Sequence, residues 1–244
     1  MISKPYRLIL NTEALMFVFS DSRKIQWLIL MMTSIPTPDL SHFQSEDYEN
    51  IYEPAEDSFL LLDVLELELE TIKKTEPLFC VEVGGGSGII STALSLQLPN
   101  SVFFATDINS EACKASQLTA KQNGTSIEVI NTRTLQCLQE RFGGCVDFLI
   151  CNPPYVATED RETGSRDIVA AWAGGCDGLE VTKEVIGLLD SVLSSTGVAY
   201  IVLEKCNKPT EVKKYVERIG FQFSTILERR AGIELLSVVK ISRI

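Results

Sequence analysis

The sequence predicts an α/β fold in which a mostly parallel, seven-stranded sheet is covered by helices on both faces and ends in an antiparallel hairpin. Short apolar runs alternate with helix-length segments from Tyr52 onward, a pattern typical of parallel βαβ units. Most of these runs are continuously apolar, as expected of strands that are buried on both faces. The last two runs are joined by a short turn around Arg229–Gly232 without a helix between them, which indicates a hairpin at the sheet edge.

The individual elements follow in order along the chain. The acidic segment Glu53–Asp57 opens the first helix, since the helix dipole favours acids in the N-terminal turn. Four further helices are predicted over residues 87–98, 110–123, 179–193 and 209–219. The strands are predicted over residues 78–83, 102–107, 127–131, 146–151, 198–204, 221–227 and 235–241.

The chain of 244 residues suits one large domain, preceded by a segment of different character. Residues 1–49 are predicted to be a poorly ordered extension and linker, and residues 50–244 the folded domain. The apolar pieces Ala14–Phe19 and Ile25–Met32 are separated by charged residues. Neither piece approaches the roughly 20 apolar residues that span a bilayer, so we expect no membrane association.

Charge and composition limit the possible functions. The formal charge is -11, with 22 Lys and Arg against 33 Asp and Glu. Because non-specific affinity for nucleic acids comes mainly from Lys and Arg, we expect no stable nucleic-acid binding. The seven cysteines contain no Cys-x-x-Cys pair, and we interpret them as small buried hydrophobic residues in a reducing compartment rather than disulfides or a metal site. His42 is the only histidine, which argues against a histidine base.

A glycine-rich turn follows the first strand. Gly84, Gly86 and the helix start behind them bring backbone N–H groups close to a ligand, although a tight turn can also need glycine for conformational reasons alone. Asp107 ends the next strand, where a carboxylate can accept ribose hydroxyl hydrogens. Glu82 within the first strand needs a partner, either a buried amide or lysine or a cationic ligand group. The spacing departs from Gly-x-Gly-x-x-Gly, but a dinucleotide stays possible on these residues alone.

The loop Asn152-Pro153-Pro154-Tyr155 follows the fourth strand at the same sheet edge. Two prolines fix φ and remove two donors, which leaves bare carbonyls and one side-chain amide. Asn152 Oδ1 and the Pro153 carbonyl can each accept one N–H of a planar amide or amine, so that the nitrogen lone pair faces the donor of the transferred group. Tyr155 would stack on the planar group. The structural alternative is a Pro-Pro turn in which Asn152 caps the backbone.

Taken in order, these motifs resemble the HemK-like glutamine methyltransferases, in particular their eukaryotic and archaeal branch, over residues 50–244. The resemblance is carried by the segments Tyr52–Ser58, Glu82–Gly88, Thr106–Asn109, Asn152–Val156 and Ala171–Gly175. It implies a class I methyltransferase (Rossmann-like) fold, S-adenosyl-L-methionine as cofactor, and methylation of the glutamine nitrogen in a Gly-Gly-Gln loop of the class I translation release factor. It further implies a heterodimer with a small zinc-binding activator protein, and we expect a cytoplasmic location with the nucleus as a second one.

The same resemblance implies roles for individual residues. Cofactor binding falls to Ser58, Glu82, Gly84, Gly86, Asp107 and Thr132. Substrate binding falls to Asn152, Pro153, Pro154, Tyr155 and Val156, of which Asn152, Pro153 and Tyr155 are catalytic, and no metal is expected. Thr132 departs from the family pattern, which usually has an acid there against the adenine amino group. We therefore expect weaker cofactor affinity rather than its loss.

Three alternatives stay open. Asn-Pro-Pro-Tyr also occurs in enzymes that methylate the adenine amino group, but the charge of -11 and the lack of a recognisable target-recognition segment argue against DNA. Lysine methylation fits less well, because a tetrahedral ammonium does not need a planar clamp with two acceptors. A non-catalytic binding subunit with the same fold would have lost cofactor affinity, in line with Thr132.

Overall fold

The computed structural model describes residues 34–158 and 165–244. Within these ranges seven strands form one sheet, in the order β3-β2-β1-β4-β5-β7-β6. Strands β1 to β5 pair in parallel, and β7 pairs antiparallel with both β5 and β6. The predicted fold class is therefore confirmed. The strands are β1 (Phe79–Val83), β2 (Val102–Asp107), β3 (Glu128–Asn131), β4 (Val146–Cys151), β5 (Leu193–Glu204), β6 (Phe221–Ala231) and β7 (Glu234–Arg243).

Six α-helices accompany the sheet in the described ranges, and the five predicted ones are among them. Helix α4 was not expected, because its four residues are too few to show helical periodicity. None of the helices in the described parts of the chain has an apolar stretch of the length that crosses a bilayer. The helices are α1 (Glu56–Thr75), α2 (Ile89–Gln97), α3 (Ser110–Gln122), α4 (Gln139–Phe142), α5 (Glu180–Val192) and α6 (Pro209–Arg218).

Three predicted strand boundaries were wrong. Strand β5 begins at Leu193 rather than at residue 198, and the hairpin strands continue to Ala231 and from Glu234. The turn therefore consists of Gly232 and Ile233, with Gly232 at a φ of 58°, and not of the whole segment 229–232. Arg229 and Arg230 adopt strand conformation because they pair with Leu236 and Leu235 of β7. Two adjacent arginines do not indicate a strand by their side-chain pattern.

The sheet separates two apolar layers, as the continuously apolar strands predict. On one face, buried leucines of α1 and apolar residues of α2 pack against Cys80, Phe148 and Tyr200. On the other face, α4, α5 and α6 pack against Val81, Leu149 and other residues with the opposite strand orientation. Both faces of the central strands are thus removed from water, so polar chemistry is left to the strand ends.

The topology reverses next to β1, and this reversal locates the ligand crevice. Strand β1 pairs with β2 on one side and β4 on the other, and Val83 is in register with Cys151. The segments that leave β1 and β4 are therefore neighbours. In open α/β sheets, ligands bind at this kind of switch point outside the carboxyl ends of the strands.

Most of the predicted extension, residues 1–33, lies outside the described residues, so its predicted lack of order stays a prediction. The rest of that segment contacts the domain. Ile35 and Ile51 are buried, and Asp39 exchanges backbone hydrogen bonds with the Asn123 side chain (2.8 and 2.9 Å). Ile35 N donates to Glu66 of α1 (2.7 Å), and residues 39–51 then run along helix α3 before the chain enters α1.

The seven cysteines are all free thiols and differ in exposure, with Cys113 intermediate. Cys80 and Cys151 are buried, as predicted. The prediction of burial was wrong for the exposed Cys137, Cys145, Cys176 and Cys206, which lie in turns and surface segments that carry no strong hydrophobic pattern. No group of His, Cys, Asp and Glu in the described ranges could hold a metal ion.

Candidate active site

One cavity lies at the carboxyl ends of β1, β2 and β4, and most of the predicted site residues line it. The predicted residues on its wall are Ser58, Glu82, Gly84, Gly86, Asp107, Asn152, Pro153 and Pro154. Tyr155 and Val156 follow directly in the chain, and Tyr155 contacts Asp57 on the wall. Segments from four distant parts of the sequence thus converge on one crevice.

The glycine turn combines two structural demands. Gly84 and Gly85 donate from their backbone N–H groups to the Thr106 carbonyl (2.8 and 3.0 Å), which joins the ends of β1 and β2. A Cβ at Gly88 would lie 2.5 Å from Ser116 Cα, so this glycine allows α3 to approach. A Cβ at Gly86, at a φ of 52°, would meet no atom within 4 Å. Gly86 therefore leaves room for a ligand rather than for packing.

Asp107 holds the turn and still has acceptor capacity. Its Oδ2 accepts from Gly86 N and its Oδ1 from Asn109 N, both at 2.9 Å. Burial raises the pKa of this carboxyl, and the backbone N–H groups oppose that effect. A carboxylate has about four lone-pair sites, so two backbone bonds leave sites that can accept from ligand hydroxyls.

Glu82 is a buried carboxyl in the middle of the sheet. Its Oε2 accepts from Ser91 N (3.1 Å) and from the Ser91 hydroxyl. Burial raises the pKa of Glu82 to about 8, although the Ser91 bonds lower it. The expected amide partner is therefore present, while no lysine or arginine among the described residues pairs with this carboxyl. A cationic ligand group at the cavity wall would stabilise its ionised form.

The acceptor loop, Asn152–Val156, is oriented by Asp57, a residue that no sequence pattern indicated as part of the site. Asn152 donates from Nδ2 to Asp57 Oδ2 (3.0 Å). A carboxylate only accepts, so the amide nitrogen must face Asp57 and the amide oxygen must face away. Asn152 Oδ1 is buried and has no donor among the described residues. A buried polar atom without a partner is costly, and here it is the atom expected to accept a substrate N–H.

Two tyrosines also contact Asp57, in addition to Ser58 N, which donates to Asp57 Oδ1 (2.7 Å). Tyr52 donates its hydroxyl to both Asp57 oxygens (3.1 and 3.0 Å). Tyr155 makes longer contacts of 3.4 Å to Asp57 Oδ2 and to Glu234 Oε2 at the start of β7. Burial and these carboxylates raise the pKa of both tyrosines, so both remain neutral donors at physiological pH. Tyr155 is thereby tied at its hydroxyl end to α1 and to the hairpin.

A second loop, residues 171–178, makes backbone contacts with the acceptor loop. Val156 N donates to Trp172 O, and Gly174 N donates to Val156 O (3.1 and 2.8 Å). A Cβ at Gly174 would lie 2.7 Å from Pro154 O, and one at Gly178 would lie 2.2 Å from Tyr155 O. These glycines therefore allow direct backbone contact. This explains the segment Ala171–Gly175, which the sequence alone marked only by resemblance.

Asn207 joins these two loops. The side chain is buried, and its Nδ2 donates to Tyr155 O (3.0 Å), Gly178 O (3.3 Å) and Asp177 O (3.4 Å). Its Oδ1 accepts from Glu204 N at the end of β5 (3.0 Å). No sequence pattern around Asn207 indicated this brace, because its partners are backbone carbonyls that lie far away in the chain.

Thr132 lies beside the cavity rather than on its wall. Its hydroxyl is 3.2 Å from Cys137 Sγ and 3.4 Å from Thr134 O, and its role in cofactor binding stays a prediction. The neighbouring Arg133 lines the cavity and pairs with Glu180 (2.8 Å) and Glu184 (3.3 Å) of α5. This arginine therefore links the segment that follows β3 to helix α5.

Comparison with known proteins agrees with this arrangement. The family model of the methyltransferase small domain matches residues 58–233. "Methyltransferase HEMK2" of Mus musculus is 42% identical over 211 residues, which cover 86% of this chain and 98% of that protein. The "eRF1 methyltransferase catalytic subunit mtq2" of Schizosaccharomyces pombe is 37% identical and covers 86% and 96%. A structure of the E. cuniculi Mtq2-Trm112 complex, which methylates the eRF1 translation termination factor, has a TM-score of 0.59 at 25% identity and covers 80% and 99%.

Proposed function

The chain belongs to the methyltransferase small domain family, beside the HEMK2 and Mtq2 methyltransferases, and from that membership we propose that it methylates a glutamine side-chain nitrogen in a protein. The acceptor is the glutamine in the Gly-Gly-Gln loop of a class I translation termination factor. The names of the S. pombe and E. cuniculi relatives, which state eRF1 as substrate, support this choice. The observation that carries the proposal is the buried, unpartnered Oδ1 of Asn152, whose orientation Asp57 fixes.

The methyl donor is S-adenosyl-L-methionine, which supplies a methyl group on a sulfonium centre. The cavity fits this molecule. Gly86 leaves open space beside the start of α2, and Asp107 retains acceptor sites for ribose hydroxyls. Glu82, with Ser58 nearby on the wall, would face the positively charged amino-acid end, which would lower the raised pKa of this carboxyl.

The acceptor chemistry follows from the rigid loop. An amide nitrogen is a poor nucleophile because its lone pair is delocalised. Asn152 Oδ1 and the Pro153 carbonyl would each accept one of its N–H groups and stabilise the positive charge that grows on the nitrogen. Tyr155 would cover the planar amide and exclude water. These acceptors are held before substrate arrives, so little reorganisation is needed during the reaction.

The charges around the acceptor end favour a protein over a nucleic acid. Asp57, Glu234 and Asp167 lie at or beside the cavity. A phosphate backbone near these carboxylates would be repelled, and the formal charge of -11 adds to that effect. Asp57 accepts hydrogen bonds from Asn152, from Tyr52 at both oxygens, and from Ser58 N, so few of its acceptor sites are left to hold a lysine ammonium. Adenine and lysine acceptors are therefore less well supported.

We further propose that the chain works as a heterodimer with a small, zinc-binding partner protein in the cytoplasm, and also in the nucleus. The E. cuniculi relative was solved with Trm112 as its partner, which supports a small partner here. Zinc in that partner is our expectation from the family resemblance, and it is tested by metal analysis of the purified complex. A complex without bound zinc would contradict this part of the proposal.

The proposed activity is tested by transfer of tritium from labelled S-adenosyl-L-methionine. The heterodimer is incubated with the termination factor, with the same factor carrying Ala in place of the Gln of Gly-Gly-Gln, and with DNA. We expect label in the first substrate alone. Label in DNA would support an adenine methyltransferase instead. Absence of cofactor binding by calorimetry, even with the partner present, would favour a non-catalytic subunit.

A further inference from the structure

Three exposed apolar side chains lie on segments that adjoin Tyr155, and the proposed glutamine pocket does not use two of them. Ile233 is 98% exposed, Val156 42% and Trp172 38%. They belong to three different segments: the tip of the β6–β7 hairpin, the acceptor loop, and the loop behind it. Exposed apolar residues that are scattered singly need no explanation, but a group around a functional site indicates an interaction surface.

Each of the three is either next to Tyr155 in the chain or connected to it through one other residue. Val156 is the next residue in the chain. Trp172 accepts through its carbonyl from Val156 N (3.1 Å), and the segments pair in parallel at Val156 and Ala173. Ile233 directly precedes Glu234, whose carboxylate contacts the Tyr155 hydroxyl (3.4 Å). The hairpin tip therefore lies next to the acceptor loop.

From this placement we propose that Ile233, Trp172 and Val156 form an apolar collar that docks the polypeptide on either side of the acceptor residue. The inference rests on the proposed function and extends it from the reacting glutamine to the surface of its carrier protein. A collar of apolar groups beside Glu234 suits a peptide or protein surface with apolar and N–H groups. It suits a nucleic acid less well, since the Glu234 carboxylate beside Tyr155 would repel a phosphate backbone.

The collar would act on recognition and not on the chemical step. Its side chains lie outside the pair of acceptors at Asn152 and Pro153, so they cannot stabilise the charge that develops on the amide nitrogen. Burial of one large apolar side chain at a protein interface commonly changes affinity by about tenfold. Removal of an apolar side chain from the collar should therefore raise KM and leave kcat nearly unchanged.

Ile233→Asp tests the collar, because a residue that is 98% exposed at a turn can be changed with little effect on folding. The matched control is Leu78→Asp, since Leu78 is 66% exposed but precedes β1 at the opposite end of the sheet. Both variants are assayed as heterodimers with the intact termination factor. We expect about a tenfold higher KM for Ile233→Asp at a similar kcat, and control values within about twofold of the wild type.

A binding measurement separates the collar from the pocket. The termination factor with Ala in place of the acceptor Gln cannot be methylated but keeps the surface that the collar would contact. We expect calorimetry to show about tenfold weaker binding of this factor to Ile233→Asp than to the wild type. An unchanged KM and affinity, or a fall in kcat alone, would overturn the collar. A wild-type enzyme that labels no termination factor would instead overturn the proposed function.

Discussion

The two ends of the cavity are built in different ways. At the cofactor end, the polar groups are held by residues that are fairly close to them in the sequence. Asp107 accepts from Gly86 and Asn109, and Glu82 accepts from Ser91. At the acceptor end, the loop after β4 depends on residues that lie far away in the chain. Asn152 is fixed by Asp57, and the Tyr155 carbonyl is held by Asn207.

The difference also appears in hydrogen bonding. Both carboxylates of the cofactor end have donors within the protein, whereas Asn152 Oδ1 at the acceptor end is buried without one. A site that binds a flexible cofactor can be closed by local backbone turns. A site that must align a planar amide needs one acceptor kept free and its neighbours kept rigid. Mutations at the two ends should therefore change different measured quantities.

The largest effect is expected for Asn152→Ala. The change removes one of the two acceptors for the amide hydrogens, and loss of one such preorganised contact commonly costs about 100- to 1,000-fold in kcat. Cofactor affinity should stay within about threefold, because Asn152 belongs to the acceptor end. Tritium transfer and calorimetry with S-adenosyl-L-methionine measure the two quantities. Simultaneous loss of both would contradict the division of the cavity into two ends.

Asp57→Ala should come next, with kcat lower by about 10- to 100-fold. Without the carboxylate, the Asn152 amide can rotate and present nitrogen to the substrate. Asp57→Asn keeps an acceptor oxygen and should restore part of kcat, which a merely structural role would not explain. Tyr52→Phe removes a different donor of Asp57 and serves as the control, with an expected loss of less than about threefold. Equal losses in Asp57→Asn and Asp57→Ala would argue against orientation of Asn152.

The same contrast explains what could be predicted from the sequence. The sheet, the glycine turn, Asp107 and the Asn152 loop were predictable, because each depends on local pattern and on the rule that ligands bind at the strand ends. Asp57 was hidden within a run of acids that is typical of any helix start. Asn207 and Gly178 were hidden because their partners are backbone carbonyls, which leave no trace in residue type. Long-range support of a loop requires coordinates.

Asn207→Ala should have a smaller effect on kcat, about tenfold, since the loop keeps its contacts with Asp57 and Trp172. Loss of a buried amide that donates to three carbonyls should also lower the free energy of unfolding by about 1–3 kcal/mol. Asn123→Ala is the matched control, because Asn123 also joins two backbone segments, at Asp39 and Thr119, but away from the cavity. It should lower stability and leave kcat unchanged. A similar fall of kcat in both variants would mean that general loosening, and not the brace, is responsible.

The smallest effect on turnover is expected at the cofactor end, for Glu82→Gln, where stability and binding should change in opposite directions. The pKa of Glu82 rises on folding from an ordinary 4.5 to about 8. A raised pKa means that folding is favoured while the group is protonated, and that this advantage is lost as pH rises towards 8. The variant does not titrate, so without cofactor it should become more stable than the wild type by roughly 1–3 kcal/mol between pH 5 and pH 8.

Glu68→Gln provides the opposite sign as a control. Lys240 and Tyr200 bind Glu68 and lower the pKa of its carboxyl, so this variant should be less stable than the wild type at neutral pH, with the difference closing as pH falls below 4.5. For Glu82→Gln, cofactor affinity at pH 8 should fall by about tenfold, because the ionised carboxylate that would face the cationic end of the cofactor is gone. The wild type should therefore bind the cofactor more tightly as pH rises towards 8, and the variant should not. If the wild type and Glu82→Gln bind the cofactor with the same pH dependence, the role of Glu82 is limited to its hydrogen bonds with Ser91. Its carboxylate would then not contact the cationic end of the cofactor.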